Sequence, residues 1–310
     1  MSKVVILKPR LDITFKEGPV PEKKGLIAPI RQHWANFVTL KVKEHKKNGD
    51  KVQIIEKPLW LFTPEFVNDI NSDIVYVPHH GKKTFLCDTR SKQVLYYMQM
   101  VFPYMFQVDP EGWCADASVW PIQPAEKTNG RMFEALRKNA ISGNSKFDQP
   151  KMRKLNLPEK FVFFPCQIPH DQTIKLHSDI SVPEALEKTI EIAISLKIPL
   201  IVKPHPQNKM AMQPLLEIVK KHHGKGVYWV DGINVHQLLS ACEAVFTVNS
   251  GVGMEALLHR KPVYAFGRAD YASVSHDVSN DCFDWEARAK YIKNIPGFFD
   301  AYVSNMTVTK

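Results

Sequence analysis

Residues 244–268 read AVFTVNSGVGMEALLHRKPVYAFGR, with two short apolar runs on either side of a longer helix-like segment. The apolar run at 244–248 predicts a buried strand, 251–259 predicts a helix, and 263–266 predicts a second strand. Two strands joined by a helix of this length form a crossover connection, which requires the strands to be parallel. The stretch therefore indicates a parallel sheet covered by helices.

The same alternation continues upstream of this unit. Further strands are predicted at 161–164, 200–202 and 227–230, and further helices at 182–196, 213–222 and 235–241. Together these segments predict a doubly wound α/β domain, whose sheet has helices on both faces. Ligands of such domains bind at the carboxyl ends of the strands, so the residues that follow each strand are the candidates for chemistry.

The first half of the chain alternates less regularly. Strands are predicted at 3–7, 52–55, 74–77 and 104–108, and helices at 31–47, 91–100 and 129–140. A length of 310 residues favours two domains. The polar, turn-rich segment 142–150 is the predicted boundary, giving an α/β domain over 1–150 and a Rossmann-like domain over 151–284. The aromatic-rich segment 285–310 is expected to form helices that pack back on the first domain.

Composition limits the partners. Lys and Arg number 41 against 32 Asp and Glu, a formal net charge of +9. An anionic nucleotide, an anionic acceptor, contact with an anionic membrane surface and a merely solvated basic face all fit this charge. No aromatic-basic RNP pattern is present, so nucleic acid is not expected. The first residues contain too short an apolar run for a signal peptide, which predicts a cytoplasmic protein, with peripheral attachment to the inner membrane left open.

Metal and disulfide chemistry are not predicted. The five cysteines, at 87, 114, 166, 242 and 282, are dispersed and form no CxxC pair. The adjacent pairs His79-His80 and His222-His223 have diverging side chains, which makes them poor metal ligands. No Asp-x-Asp follows a predicted strand. The charge that offsets a leaving phosphate is therefore expected from His205, with Lys203 and a helix dipole.

Two predicted strand ends carry residues suited to phosphate. After 200–202 comes Lys203-Pro-His-Pro, where two prolines fix the backbone around His205, a cationic or hydrogen-bond-donating imidazole next to the ammonium of Lys203. After 244–248 come Ser250 and Gly251 at a helix start, where backbone N–H groups and the helix dipole favour an anion. Glu255, one turn into that helix, could accept hydrogen bonds from ribose hydroxyls. The turn is neither a Walker loop nor a full GxGxxG.

Carboxylates follow two other strands. Gln167, His170 and Asp171 lie within five residues after the strand at 161–164. In the first half, Asp109-Pro-Glu-Gly-Trp places Glu111 after the strand at 104–108. Two carboxylates acting on one sugar are the usual requirement of glycosyl transfer, so Asp171 and Glu111 are candidate partners in such chemistry.

The order of these motifs resembles that of the bacterial capsule polysaccharide biosynthesis family, which includes the retaining β-Kdo glycosyltransferases. The resemblance rests on a carboxylate-Gly turn, Gln-x-x-x-Asp, Lys-Pro-His-Pro and Ser-Gly-x-x-x-Glu, and covers about 108–268. The His-Pro and Ser motifs also resemble those of bacterial sialyltransferases. The turn at Glu111 departs from the commoner Glu-Asp-Gly-Phe of the family by reading Pro-Glu-Gly-Trp.

The resemblance implies a GT-B-like pair of Rossmann-type domains facing a cleft, with the acceptor side in the first domain and CMP-Kdo as donor without a metal. His205, Ser250 and Gly251 would hold the CMP phosphate, and Glu255 the ribose. Asp171 would lie at the anomeric carbon as nucleophile, and Glu111 would assist from the other domain. The acceptor would be a glycan or glycolipid of the capsule or lipopolysaccharide. A sialyltransferase, a CDP-glycerol-type transferase and a non-catalytic CMP- or glycan-binding module remain alternatives.

Overall fold

A computed structural model describes residues 1–10, 27–85, 88–207, 210–280 and 283–309. The chain forms two compact units, one of Met1–Trp120 with Asn305–Lys310 and one of Pro121–Ser304. The strands in chain order are β1 (Lys3–Pro9), β2 (Lys51–Lys57), β3 (Ile74–Pro78), β4 (Gln93–Gln99), β5 (Met105–Asp109), β6 (Val162–Pro165), β7 (Leu200–Lys203), β8 (Val227–Trp229), β9 (Ala244–Thr247), β10 (Val263–Ala265), β11 (His276–Asp277) and β12 (Thr307–Val308). The α-helices are α1 (Ile27–Lys47), α2 (Pro64–Asn68), α3 (Arg131–Ile141), α4 (Gln172–His177), α5 (Val182–Leu196), α6 (Gln213–Lys221), α7 (Val235–Ala241), α8 (Gly251–Leu258) and α9 (Ile295–Ser304).

The first unit is built on a sheet of order β12-β5-β4-β3-β1-β2. β4, β3, β1 and β2 are parallel, whereas β5 and β12 are antiparallel to their neighbours. Residues 4–7 of the central strand β1 are all buried, because the strand has apolar neighbours on both faces. Trp34, Phe37 and Val38 of α1 cover one of these faces.

The second unit contains the sheet β11-β10-β9-β6-β7-β8, in which every pairing is parallel. The chain runs outward from β6 to β8 and then returns to place β9 on the other side of β6. This reversal makes the carboxyl ends of β6 and β9 the topological switch point, where such sheets bind their ligands. The predicted α/β class, with two Rossmann-like sheets, is confirmed.

The predicted helix at 91–100 is wrong, since this segment forms the strand β4. Tyr96 and Tyr97 are both buried, but they pack into hydrophobic clusters on opposite faces of the sheet. Alternation between two buried faces produces a continuous apolar run, which periodicity cannot distinguish from a helix. Ser91, the first residue of this segment, donates its hydroxyl to the carbonyl of Ile70 over 2.9 Å. The strand predicted at 52–55 is present, but it lies at the sheet edge and is largely exposed.

The structure divides the chain after Trp120 and not within 142–150. α3 belongs to the second unit because its apolar face, with Phe133 and Leu136, packs against α8 and α9. The rings of Phe133 and Phe299 lie 5.8 Å apart. The segment expected to return whole to the first unit is likewise divided. α9 packs inside the second unit, and only β12 joins the first sheet, by pairing with β5.

Candidate functional site

A buried amide pair joins the two strand ends at the switch point of the second unit. Nε2 of Gln167 donates to Oδ1 of Asn249 over 2.9 Å. Oε1 of Gln167 accepts from the backbone N–H of Asn249 over 3.1 Å and from the hydroxyl of Thr247 over 3.2 Å. The side-chain amide of Gln167 thus makes three hydrogen bonds to Thr247 and Asn249, which fix the loop that leads into α8.

Ser250 begins α8 and is held from both sides. Its hydroxyl accepts the N–H of Val252 over 3.1 Å as the helix N-cap. Its carbonyl accepts the hydroxyl of Tyr271 over 2.8 Å. A Cβ at Gly253 would lie 2.2 Å from the Tyr271 hydroxyl oxygen, so only glycine permits this approach. The capping bond and the hydrogen bond from Tyr271 fix the start of α8, which the sequence analysis predicted as a phosphate-binding turn.

Lys203 ends β7 and is buried, with 8% of its surface exposed. Burial lowers the pKa of its ammonium, while Asp231 and Glu255 act to raise it. The ammonium makes no hydrogen bond or ion pair with any residue in the described part of the chain. An unpaired, partly desolvated ammonium at a strand end has a strong tendency to bind an anion.

His205 is half-buried in the loop after β7, where the ring of Phe147 meets it edge-on at 5.4 Å between centroids. Burial lowers the pKa of His205 to about 4, so the imidazole is neutral at neutral pH. Nδ1 accepts the backbone N–H of Gln207 over 3.2 Å, which leaves the proton on Nε2. His205 is therefore a hydrogen-bond donor in the free protein and not the expected cation.

Glu255 lies inside the site with 6% of its surface exposed. Burial raises the pKa of its carboxyl to about 7, against a hydrogen bond from the Ser145 hydroxyl and the charges of Lys146 and Lys203. Nε2 of His236 lies 3.9 Å from Oε1 of Glu255. Ser145 and Lys146 are site residues that the sequence interpretation missed, because their polar, turn-forming context resembled a linker.

Asp171 is the exposed N-cap of α4, where its Oδ1 accepts the N–H of Thr173 over 2.8 Å. Its charge interacts with both Lys146 and His205, which places it near the nucleotide candidates. The neighbouring His170 is exposed and its ring forms no hydrogen bond or ion pair within the described ranges. The structure thus brings Asp171 to the cluster and leaves His170 at the surface.

Glu111 lies in the first unit, in the turn after β5. Its Oε1 pairs with Nζ of Lys82 at 3.0 Å, and both side chains are exposed to solvent. The turn itself is organised by Asp109, whose carboxylate accepts the N–H groups of Glu111 and Gly112 and the hydroxyl of Ser118. Asp109 is therefore structural, and Glu111 is the accessible carboxylate of this turn.

Three of the cysteines, Cys114, Cys166 and Cys242, are buried and form no disulfide bond. Cys87 and Cys282 lie outside the described residues. Within the described ranges, no cluster of His, Cys, Asp and Glu has the arrangement needed to hold a metal ion. None of the described helices has the length and apolar character needed to cross a bilayer.

Comparison with known proteins adds the following similarities. Residues 131–307 match the family model of capsule polysaccharide biosynthesis proteins. Protein FixF of Sinorhizobium fredii is 32% identical over 181 residues, which cover 55% of this chain and 41% of FixF. The capsule polysaccharide export protein KpsS of Escherichia coli is 28% identical over 123 residues, 37% of this chain and 32% of KpsS. The matched part of the chain thus spans less than half the length of each of these curated relatives.

Two solved structures share the fold. The β-Kdo 2,4 transferase of Thermosulfurimonas dismutans KpsC superimposes with a TM-score of 0.52 at 18% identity, covering 87% of this chain and 85% of that one. The β-Kdo 2,7 transferase of the same KpsC gives 0.50 at 15% identity, covering 96% and 89%. The likeness extends over both units and identifies the fold as GT-B-like.

Proposed function

Because the chain belongs to the capsule polysaccharide biosynthesis family, we propose that it is a glycosyltransferase that takes Kdo from CMP-Kdo. The acceptor is a bacterial surface glycan or glycolipid, in the capsule or in lipopolysaccharide. The observation that carries the proposal is the cluster at the switch point, where Lys203, His205 and Ser250 supply an ammonium, an imidazole N–H and a helix start. The names of the two superimposed KpsC domains support the choice of Kdo.

The nucleotide would be held by groups that favour a phosphate. The N–H on Nε2 of His205 can donate to a phosphate oxygen without the cost of first ionising a buried imidazole. The ammonium of Lys203 supplies charge, and the first N–H groups of α8 at Gly251 supply oriented dipoles. Glu255 would accept hydrogen bonds from the ribose hydroxyls. Stabilising the phosphate makes CMP a better leaving group.

Transfer with retention would run through Asp171. Its carboxylate attacks the anomeric carbon as the bond to the CMP phosphate breaks, and that bonding pair leaves on the phosphate. An acceptor hydroxyl then attacks the same carbon, its proton passes to a base, and the Asp171 carboxylate is released. Glu111 is the candidate for assistance to this second step. Lys203 supplies the positive charge that offsets the leaving phosphate, so no metal is required.

A donor panel tests the proposal. CMP release is measured from CMP-Kdo, CMP-sialic acid and CDP-glycerol, each with and without a Kdo-containing acceptor glycan. Preference for CMP-Kdo supports the proposal, and preference for either other donor replaces it with a sialyltransferase or a CDP-glycerol-type transferase. CMP binding without turnover of any donor would instead identify a non-catalytic nucleotide- or glycan-binding module.

A further inference from the structure

The segment 143–150, which lies within the predicted domain boundary at 142–150, is fixed at both ends to the start of α7. Nδ2 of Asn234 donates to the carbonyl of Pro150 over 3.0 Å. Oε1 of Gln149 accepts the N–H of Val235 over 3.0 Å. Nε2 of His236 donates to the carbonyl of Asn144 over 2.8 Å. These bonds give the segment a defined path inside the second unit.

The middle of this segment lies on the nucleotide cluster. The hydroxyl of Ser145 bonds the carboxyl of Glu255. Two residues later, the ring of Phe147 packs edge-on against His205. Lys146 stands between these two anchored residues, so its backbone is held above Glu255 and His205. Its ammonium interacts electrostatically with both of them and with Asp171.

Lys146 has no protein partner that accounts for its position. Within the described ranges its ammonium forms no hydrogen bond and no ion pair. Asp171 and Glu255 are the carboxyls whose charges act on Lys146. The Glu255 carboxyl is already bonded by Ser145, and burial raises its pKa to about 7, so it is only partly ionised at neutral pH. Burial also lowers the pKa of Lys146. Two unpaired ammonium groups, Lys146 and Lys203, therefore share one partly desolvated site.

We propose that Lys146 binds the phosphate of the nucleotide donor together with Lys203, so that the 143–150 segment is a wall of the nucleotide site. This inference rests on the proposed function for the identity of the nucleotide. A phosphate between the two ammonium groups neutralises the positive charge that a partly protonated Glu255 does not balance. It also gives each partly buried ammonium a charge-assisted hydrogen bond.

Calorimetric titration with CMP and with cytidine tests the role of Lys146. Lys146→Met is expected to weaken CMP binding by roughly tenfold or more, the equivalent of one charge-assisted hydrogen bond, and to leave cytidine affinity unchanged. Lys146→Arg keeps the charge and is expected to bind CMP within about threefold of the wild type. The matched control is Lys151→Met, which removes an exposed ammonium from the chain just beyond the segment. Unchanged CMP affinity in Lys146→Met, or equal losses for CMP and cytidine, would overturn the inference.

Amine labelling separates this inference from the proposed function. Wild-type protein is treated with acetic anhydride, with and without inorganic pyrophosphate, and acetylation of Lys146 and Lys151 is measured by peptide mass spectrometry. Protection of Lys146 but not Lys151 supports an anion site at Lys146, even if CMP does not bind and the proposed donor is wrong. Equal labelling of Lys146 with and without pyrophosphate overturns the site, whatever the donor panel shows.

Discussion

Nε2 of Gln167 donates a 2.9 Å hydrogen bond to Oδ1 of Asn249, and this bond ties the chain after β6 to the chain after β9. Asn249 uses its own Nδ2 to bond the carbonyls of Thr173 and His177, which lie in α4. One buried amide pair therefore fixes three elements of the site relative to one another, namely the loop after β6, α4 and the start of α8.

Removing this amide is expected to destabilise the protein. Gln167→Ala leaves the side chain and N–H of Asn249 and the hydroxyl of Thr247 without their buried partner, which should lower the free energy of unfolding by about 1–3 kcal/mol. Urea denaturation followed by circular dichroism measures the change. The control Gln213→Ala removes an exposed glutamine amide and should alter stability far less. Equal stability of the two variants would show that the pair contributes nothing.

Nucleotide affinity is expected to depend on His205 and Ser250. His205→Ala removes the Nε2 donor, and Ser250→Ala removes the hydroxyl at the start of α8, so each should weaken CMP binding by about 1–3 kcal/mol. Isothermal titration calorimetry measures the affinities, with the exposed His223→Ala as control. Ser250→Gly, which largely preserves helix capping, separates the anion contact from the cap. CMP affinity that is unchanged in both alanine variants would remove these residues from the nucleotide site.

Glu255 should make stability depend on pH. Its folded pKa of about 7 lies above the ordinary 4.5. Its contribution to the free energy of unfolding is therefore fully present below pH 4.5 and is lost as pH rises through 7. Glu255→Gln cannot ionise, so its stability relative to the wild type should rise by about 2–3 kcal/mol between pH 5 and pH 8.5. Urea denaturation at the two pH values measures this difference.

The exposed Glu191→Gln supplies the comparison for Glu255→Gln, because both changes remove one carboxylate from a helix. Other titrating groups, including His205, are common to variant and wild type and cancel in the difference. A relative stability of Glu255→Gln that stays constant with pH would mean that Glu255 ionises normally and is not desolvated.

The sequence predicted the second unit better than the first, and the reason is physical. In β6 and β9 every residue is buried, and the intervening helices have clear apolar periods and caps, so each local signal agreed with the fold. The prediction failed for β4 because both faces of this strand are buried, with Tyr96 on one and Tyr97 on the other. Such burial removes the alternation of apolar and polar residues that identifies a strand. Local pattern carries no information about burial on both faces.

Residues after strands could be assigned to the site from sequence, because parallel topology alone brings them to one edge. Lys203, His205 and Ser250 are in this class. Ser145 and Lys146 could not be assigned, since their segment reaches the site through long-range bonds to Asn234 and His236. The charge state of His205 could not be predicted from the sequence either, because it depends on how far the folded chain buries the imidazole.

Transfer is expected to be independent of divalent metal. The positive charge beside the phosphate would come from Lys203 and Lys146, supported by the dipole of α8, so protein groups can balance the leaving CMP. Donor turnover should therefore be unchanged after dialysis against excess EDTA, measured as CMP release. Lys203→Met, which keeps a side chain of similar length but loses the charge, should be strongly impaired in donor turnover under the same conditions. Loss of activity in EDTA that magnesium or manganese restores would contradict this expectation.

The most demanding prediction is that Asp171 forms a covalent bond to the donor sugar. Asp171 is exposed, and its charge interacts with Lys146 and His205 of the proposed phosphate site. The same carboxylate caps α4 through the N–H of Thr173, so a purely structural role has to be separated from a chemical one. Asp171→Asn achieves this, because asparagine caps helices about as well as aspartate but cannot attack an anomeric carbon.

If Asp171 is the nucleophile, Asp171→Asn should keep the wild-type free energy of unfolding within about 0.5 kcal/mol, bind CMP normally and lose transfer altogether. Asp171→Ala removes both functions and should also unfold at lower urea, by about 1 kcal/mol. Intact-mass spectrometry after incubation with donor alone should show one added sugar on the wild type and none on either variant. A carboxylate that only capped the helix would leave Asp171→Asn fully active and the wild type unmodified. Appreciable transfer by Asp171→Asn would therefore exclude the covalent step, because the amide supplies the cap and lacks the nucleophile.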